Sequence, residues 1–232
     1  MKGKLYLIPS PLGGANPADV IPQGTIDVIK TLTFFVVEEL RSARRYLSSV
    51  GLKGQIDSLE FGLLNEHSSG SDAESYIAVL KRGVNIGLIS EAGLPAVADP
   101  GSNLVELAHK NGIEVIPLTG PSSLMLALMA SGKNGQNFTF NGYLPVKPEE
   151  RRLKIKELER ISTTKGISQI IIETPYRNDS LFADFLQSCS PATLITIACN
   201  ITLEDAFIKT KTVSEWRQNL PVIGKRPTVF IL

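Results

Sequence analysis

Apolar residues arrive along this chain in two rhythms. Short β-branched runs at 5–8, 34–37, 84–89 and 113–118 read as buried strands. Between them apolar residues recur at helical spacing, as at Tyr76, Ile77, Val79 and Leu80 or at Leu104, Val105, Leu107 and Ala108. Ile26, Ile29 and Lys30 fall on a shorter helix and 42–49 on another. Asp72 and Ser102 are set to cap the helices that Gly83 and Gly112 stop. Strand alternating with helix implies a mostly parallel sheet. From residue 120 the pattern changes. An apolar helix over 122–131 stops at Gly132, a strand covers 138–143, and a charged helix covers 149–161. A very apolar strand over 167–172, a helix over 179–188 and late strands near 194–198, 206–210 and 228–232 follow. Strands so close in sequence pair antiparallel, so the second sheet is expected to be mixed. The prediction is an α/β chain of two domains, 1–118 and 119–232.

The loops after two of these strands carry the densest signal. Ser90-Glu91-Ala92-Gly93-Leu94-Pro95-Ala96-Val97-Ala98-Asp99-Pro100-Gly101 follows one, and Pro117-Leu118-Thr119-Gly120-Pro121-Ser122-Ser123 closes the other. Both lead into helices, which places them at the carboxyl ends of strands expected to be neighbours, the edge where open α/β sheets bind ligands. Glycine and proline there remove bulk and fix the backbone, so a flat ligand can lie against main-chain N–H and C=O groups. Pro9-Ser10-Pro11-Leu12-Gly13-Gly14, after the first strand, adds a third loop to that edge.

Composition narrows the ligand. With 24 basic and 23 acidic residues the net charge is +1, so any nucleic-acid contact must be local. Neither GxGxxG nor GxxxxGK[ST] occurs, which disfavours a phosphate-bearing ligand. Cys189 and Cys199 have no metal spacing and read as free buried thiols, so no metal is expected. The amino terminus runs straight into a strand and the longest apolar run, 124–130, is too short to cross a bilayer; the expected location is cytoplasmic, away from membranes.

Taken together the motifs resemble the tetrapyrrole methylase superfamily of S-adenosylmethionine-dependent methyltransferases (class III). Within it they are most similar to the ribosomal RNA small subunit methyltransferase I family. Ser90-Glu91-Ala92-Gly93-Leu94-Pro95 resembles the family's Ser-Asp-Ala-Gly-Thr-Pro, Asp99-Pro100-Gly101 its Asp-Pro-Gly, and 117–122 its Pro-Leu-Pro-Gly-Pro-Ser. Ser10-Pro11-Leu12-Gly13 resembles Thr-Pro-Ile-Gly, and Glu38-Glu39-Leu40-Arg41 resembles Glu-Asp-Thr-Arg. Gly142-Tyr143-Leu144-Pro145 resembles Gly-Phe-Leu-Pro, and Glu173-Thr174-Pro175-Tyr176-Arg177 resembles Glu-Ser-Pro-His-Arg.

The resemblance implies a two-domain fold with a mostly parallel N-terminal and a mixed C-terminal sheet, S-adenosyl-L-methionine in the interdomain cleft, and a homodimer. It implies cofactor contacts at Pro11, Ser90, Ala92, Gly93, Pro95, Ala96, Val97, Asp99, Thr119, Gly120, Ser122 and Ser123 in the first half of the fold. It implies others at Glu173, Thr174, Asn200, Ile201 and Thr228. The implied reaction is 2′-O-methylation of a cytidine in small-subunit (16S) ribosomal RNA. A ribose hydroxyl must lose its proton to a base or hydrogen-bond acceptor, and Glu39, Arg41, Glu66, His67, Glu173 and Arg177 are the candidates, since all flank predicted cleft loops.

Each candidate has a plainer reading. Glu39 with Arg41 can be an ion pair bracing a strand end, and a lone histidine such as His67 can be simply solvated. Arg41, Arg44 and Arg45 are candidate phosphate contacts, whereas Lys147, Arg151, Arg152, Lys154 and Lys156, interleaved with glutamates, read as a solvated helical face. The chain departs from the family at Leu40, at Tyr176 and at Cys199-Asn200-Ile201-Thr202-Leu203, where the family has Arg-Glu-Leu-Thr-Lys, and it ends in the last predicted strand. Two alternatives therefore stand beside the RNA enzyme. One is a methyltransferase of the same fold acting on a tetrapyrrole or other small molecule; the other is a ligand-binding, non-catalytic dimeric scaffold.

Overall fold

The computed structural model describes residues 1–65, 68 and 70–232. The chain divides into two compact units, Met1–Ser122 and Ser123–Leu232.

The first unit runs β1 (Leu5–Ile8), α1 (Pro17–Val20), α2 (Gln23–Ile29), β2 (Phe34–Val37), α3 (Leu40–Leu47), β3 (Glu60–Leu63), α4 (Gly70–Lys81), β4 (Ile86–Ile89), α5 (Ser102–Lys110) and β5 (Val115–Pro117). Its sheet has the order β3-β2-β4-β1-β5, and every pair is parallel. A parallel sheet is buried on both faces, and the strand residues divide accordingly. Ile8, Phe35, Val37 and Ile89 pack with Ile26 and Ile29 of α2 and Tyr46 and Leu47 of α3. Leu5, Val36, Ile86 and Leu88 pack with Tyr76 and Leu80 of α4 and Leu104 and Ala108 of α5. The centre of β4 admits no side chain: a Cβ at Gly87 would sit 2.5 Å from Ile8 Cδ1 and 2.9 Å from Phe35 Cδ1.

Several expectations are corrected here. The strands before the two glycine-rich loops, β4 and β5, are not neighbours, because β1 lies between them. Helix α3 starts at Leu40 because Glu39 caps it, and past Leu47 it runs on as a π turn over Ser48–Leu52. Helix α4 begins at Gly70, which puts Asp72 in its first turn, where a carboxylate suits the helix dipole. The N-cap of α5 is Gly101, at φ 125°, and Ser102 is already helical. The sequence reading contained neither α1 nor β3.

The second unit runs α6 (Ser123–Ser131), β6 (Phe138–Phe140), α7 (Pro148–Lys165), β7 (Ser168–Ile172), α8 (Asn178–Ser188), β8 (Leu194–Cys199), β9 (Phe207–Thr212), α9 (Val213–Gln218) and β10 (Thr228–Ile231). The sheet order is β6-β7-β10-β8-β9, with β6 and β7 parallel and the other pairs antiparallel, so the mixed sheet is present. Its core gathers Trp216, Phe182, Phe185, Phe230, Ile171 and Ile197. The Trp216 indole N–H donates to the Ile195 carbonyl at 3.0 Å, so the largest buried ring leaves no polar atom unpaired. Cys189 and Cys199 are buried free thiols, and burial pushes Cys189 up to about 12.

Helix α7 overturns the solvated-face reading for one residue. Arg151, Ile155 and Leu158 are its buried residues, spaced as one helical stripe. Arg151 donates to Asp184 at 2.6 Å and to the Ser180 hydroxyl at 2.7 Å. Lys147 and Lys154 instead make surface pairs with Glu150 and Glu157.

Candidate functional site

In the first unit the chain leaves β1 and β2 by helices on one face of the sheet and leaves β4 by a helix on the other. Above the end of β4, on the α2–α3 face, the flanking loops therefore stand apart and leave a pocket. It holds about 350 Å³ and is lined by Ser10, Asn16, Glu38, Ser42, Arg45 and Glu91, among others. This is the crevice expected where a sheet changes winding direction.

The loops around it are tied together. Ser10 exchanges main-chain hydrogen bonds with Gly93, at 2.8 and 3.1 Å, and its hydroxyl donates to the Ser90 carbonyl at 2.8 Å. Tyr46 donates to the Pro9 carbonyl at 2.9 Å, and Thr25 to the Thr119 carbonyl at 2.9 Å. Gly120 lies against Pro9 so closely that a Cβ would fall 2.3 Å from the proline ring. The segments holding Pro11, Ser90, Ala92, Gly93, Pro95, Ala96, Val97, Asp99, Thr119 and Gly120 thus share one edge of the first sheet.

Backbone strain falls on the same segments. Among the described residues four non-glycines have left-handed φ: Ala96 at 64°, Ala98 at 63°, Asn200 at 50° and Thr202 at 75°. Such conformations cost about 1–3 kcal/mol each and concentrate where a ligand is held. Two lie in the loop after β4 and two directly after β8.

The second unit assembles its own candidates at one sheet edge. Ladder pairs Ile172 with Val229 and Cys199 with Thr228 bring Glu173, Asn200 and Thr228 to the carboxyl ends of β7 and β8 and the amino end of β10. The Glu173 side chain is fully buried, pairs with Arg177 at 2.6 Å and accepts from the Thr174 N–H at 2.7 Å. Asn200 donates to both oxygens of Asp205, and Ile201 is buried beside it. Ser122 is the last residue of the first unit, and Ser123 opens α6 of the second.

The candidate proton acceptors separate. Both oxygens of Glu39 serve the cap of α3, accepting from Arg41 N–H at 3.0 Å and Ser42 N–H at 2.7 Å, and these backbone bonds hold its carboxyl below the usual range. Arg41 is exposed at the start of the helix. Glu66 and His67 lie outside the described residues. Arg44 turns to Asp57 at 2.5 Å and to the Phe61 ring, whereas Arg45 lines the pocket.

Sequence reasoning missed Glu38 and Glu91, both of which line the pocket. The Glu91 N–H donates to Glu38 at 3.1 Å, and the Ser42 hydroxyl donates to Glu91 at 2.5 Å. Glu38 is adjacent to Glu39 in the motif, and nothing in the sequence alone separates the two carboxylates. Glu91 occupies the family's aspartate position. Asp99, half-buried near this pair, is pushed up to about 6 by burial and then by the charges of Glu38 and Glu91.

That shift has a sign. A carboxyl whose folded value lies above its unfolded value of about 3.8 binds a proton more tightly when folded, so its contribution to stability is full below about pH 4 and lost as the pH rises through 6. Asp99→Asn removes the ionisation, so its melting temperature should rise relative to wild type between pH 4 and 6 and stay offset at pH 7. Melting curves of both proteins from pH 3.5 to 8 check this, and parallel curves would exclude it.

No family model matches the chain. Solved structures with the same arrangement include the methyltransferase CobJ, with a TM-score of 0.66 at 17% identity over 99% of this chain and 93% of that one. Another is the uroporphyrin-III C-methyltransferase of Thermus thermophilus complexed with S-adenosylhomocysteine, at 0.61 and 13% over 99% and 96%. Two units joined in this order, one all-parallel and one mixed, define the chain as a protein of the tetrapyrrole-methylase fold. Curated relatives named ribosomal RNA small subunit methyltransferase I include one from Neisseria meningitidis serogroup A, 30% identical over 224 residues, which are 97% of this chain and 72% of the relative. The relative from Vibrio cholerae is 31% identical over 85% of this chain, and that from Escherichia coli O157:H7 is 35% identical over 68%. The chain belongs to the ribosomal RNA small subunit methyltransferase I family. It spans 65% of the Vibrio cholerae relative and 52% of the Escherichia coli one.

Proposed function

We propose that this protein is an S-adenosylmethionine-dependent methyltransferase that 2′-O-methylates a cytidine of small-subunit ribosomal RNA, acting as a cytoplasmic homodimer. The observation that carries the reading is the alignment of 97% of the chain with a Neisseria relative of that name. The geometry is compatible with the cofactor. Gly93 and Gly120 keep side chains off the loop backbone, Gly120 having no room for one, and main-chain groups from three loops stand at one strand edge. That suits a flat, uncharged adenosine better than a polyphosphate.

In this reading Pro11, Ser90, Ala92, Gly93, Pro95, Ala96, Val97, Asp99, Thr119, Gly120 and Ser122 of the first unit and Ser123, Glu173, Thr174, Asn200, Ile201 and Thr228 of the second hold the cofactor. When bound, S-adenosylmethionine supplies an electrophilic methyl group on a cationic sulfur. The chain supplies orientation, which can lower such a barrier by about 7–11 kcal/mol. Glu38, Glu39 and Glu91 all line the pocket, but both oxygens of Glu39 accept from backbone N–H groups of its helix cap, so Glu38 and Glu91 are the better-placed acceptors for a ribose hydroxyl proton. Arg45, on the same wall, is placed for a phosphate.

Isothermal titration with S-adenosylhomocysteine tests the first half of the reading, and a dissociation constant at or below roughly 100 µM is expected, about −5.5 kcal/mol. Transfer of labelled methyl to under-methylated small subunits tests the second half. Binding without transfer would retain the methyl donor and remove the acceptor. No binding by folded protein would overturn the reading and leave a scaffold that has lost the ligand.

A further inference from the structure

Three loops of the second unit present apolar side chains to solvent, and an ion pair and hydrogen bonds tie all three together. Tyr176 is 79% exposed at the centre of a one-turn 3₁₀ segment, Pro175–Arg177. That turn is held from both sides. Arg177 pairs with buried Glu173 and donates to the Leu144 carbonyl at 3.3 Å, while fully buried Asn178 donates to the Arg226 carbonyl at 2.7 Å. The same bonds draw in the neighbouring loops. Tyr143, 55% exposed, precedes Leu144, and Val222, also exposed, is bonded through its carbonyl by Arg226. The Lys225 ammonium stands 4.8 Å from the centroid of the Tyr176 ring and forms no ion pair among the described residues.

Single exposed apolar residues on a surface need no explanation. An exposed ring fixed by its neighbours, with a cation over one face and a second exposed tyrosine on the loop that Arg177 ties to it, offers the kind of surface on which proteins hold unpaired nucleotides. There the bases stack on the rings and the backbone meets the cation. Charge fits an anionic, ring-bearing occupant: Arg177 and Arg226 are balanced by Glu173 and Asp205, which leaves Lys225, over one face of the Tyr176 ring, to meet a phosphate while the exposed remainder of the ring meets a base.

We propose that Tyr176, Tyr143 and Lys225 form a stacking platform for a single-stranded segment of RNA next to Glu173 and Thr174. The inference rests on the reading of RNA as acceptor and adds the state in which the acceptor is held. The strand held there lies unpaired on the second unit.

Fluorescence anisotropy with a labelled ten-nucleotide RNA and its duplex tests this on the whole protein, with S-adenosylhomocysteine titration alongside. Wild type is expected to prefer the single strand. Tyr176→Ala should weaken that binding about 5- to 150-fold, and Tyr176→Phe, which keeps the ring, should restore it. Lys225→Ala should reduce the salt slope by about 0.7. S-adenosylhomocysteine affinity should stay unchanged in all three. Wild-type RNA affinity in Tyr176→Ala, equal losses on single strand and duplex, or a shift from dimer to monomer at unchanged RNA affinity would each overturn the platform. If methyl transfer to small subunits survives any of these, the proposed function stands without it; if S-adenosylhomocysteine fails to bind wild type, that function itself falls.

Discussion

Arg151→Ala is expected to destabilise the second unit by about 3–5 kcal/mol, because it strands a buried carboxylate. The Arg151 and Asp184 side chains are 4% and 10% exposed, and beyond their 2.6 Å contact Asp184 has, among the described residues, only Arg152, at 3.3 Å and partly in water. The same truncation unpairs the Ser180 hydroxyl. Replacing both partners, as in Arg151→Met with Asp184→Leu, should recover most of the loss, since no ion then needs company in the core. Urea unfolding of the whole chain, read at the transition that moves, measures both. A loss under 1 kcal/mol in the single variant would mean that Arg152 swings in as a full substitute.

Gly120→Ala should destabilise the first unit at the loop edge proposed to hold the cofactor. The added methyl would lie 2.3 Å from Cβ and Cγ of Pro9, which cannot swing away because they belong to a ring whose carbonyl is held by Tyr46. Overpacking of this kind costs about 1–3 kcal/mol. The strain would also displace the Thr119 carbonyl that receives the Thr25 hydroxyl, and with it the turn proposed to bind the cofactor. S-adenosylhomocysteine affinity is expected to fall at least tenfold, about 1.4 kcal/mol. A folded Gly120→Ala protein with unchanged affinity would move the binding site away from this turn.

What could be read from the sequence follows what each signal physically is. Strands β1, β2, β4, β7, β8 and β10 were legible because burial on both faces demands unbroken apolar runs. Strand β3 was not: Glu60–Leu63 contains a glycine and is only half covered, so it carries neither a run nor an alternation. Helix α9 hid because its cap, Thr212 with Glu215, directly continues β9 with no loop between. Arg151 was misjudged because a lone core arginine in a helix rich in charge looks like its exposed neighbours until Asp184 arrives from another helix. At the site the loop motifs stood out through glycine and proline. The pocket's carboxylates did not, because convergence of Glu38 with Glu91 depends on β2 and β4 being adjacent, which no local pattern encodes.

The strand order of the first unit also bears on how the chain acquires its structure during synthesis. Strands β1 and β2 are consecutive in sequence, yet neither pairs with the other; both take β4 as a ladder partner. Until residues 86–89 emerge, β1 has no neighbour within the sheet, since its other partner, β5, comes later still. Although β2 can pair with β3 beforehand, β1 must therefore wait unpaired until β4 arrives, a slow, non-local closure. In the second unit β8 and β9 pair as chain neighbours, and folding there can begin with contacts close in sequence. Truncations ending before β4 should consequently be the ones that depend most on chaperones or aggregate.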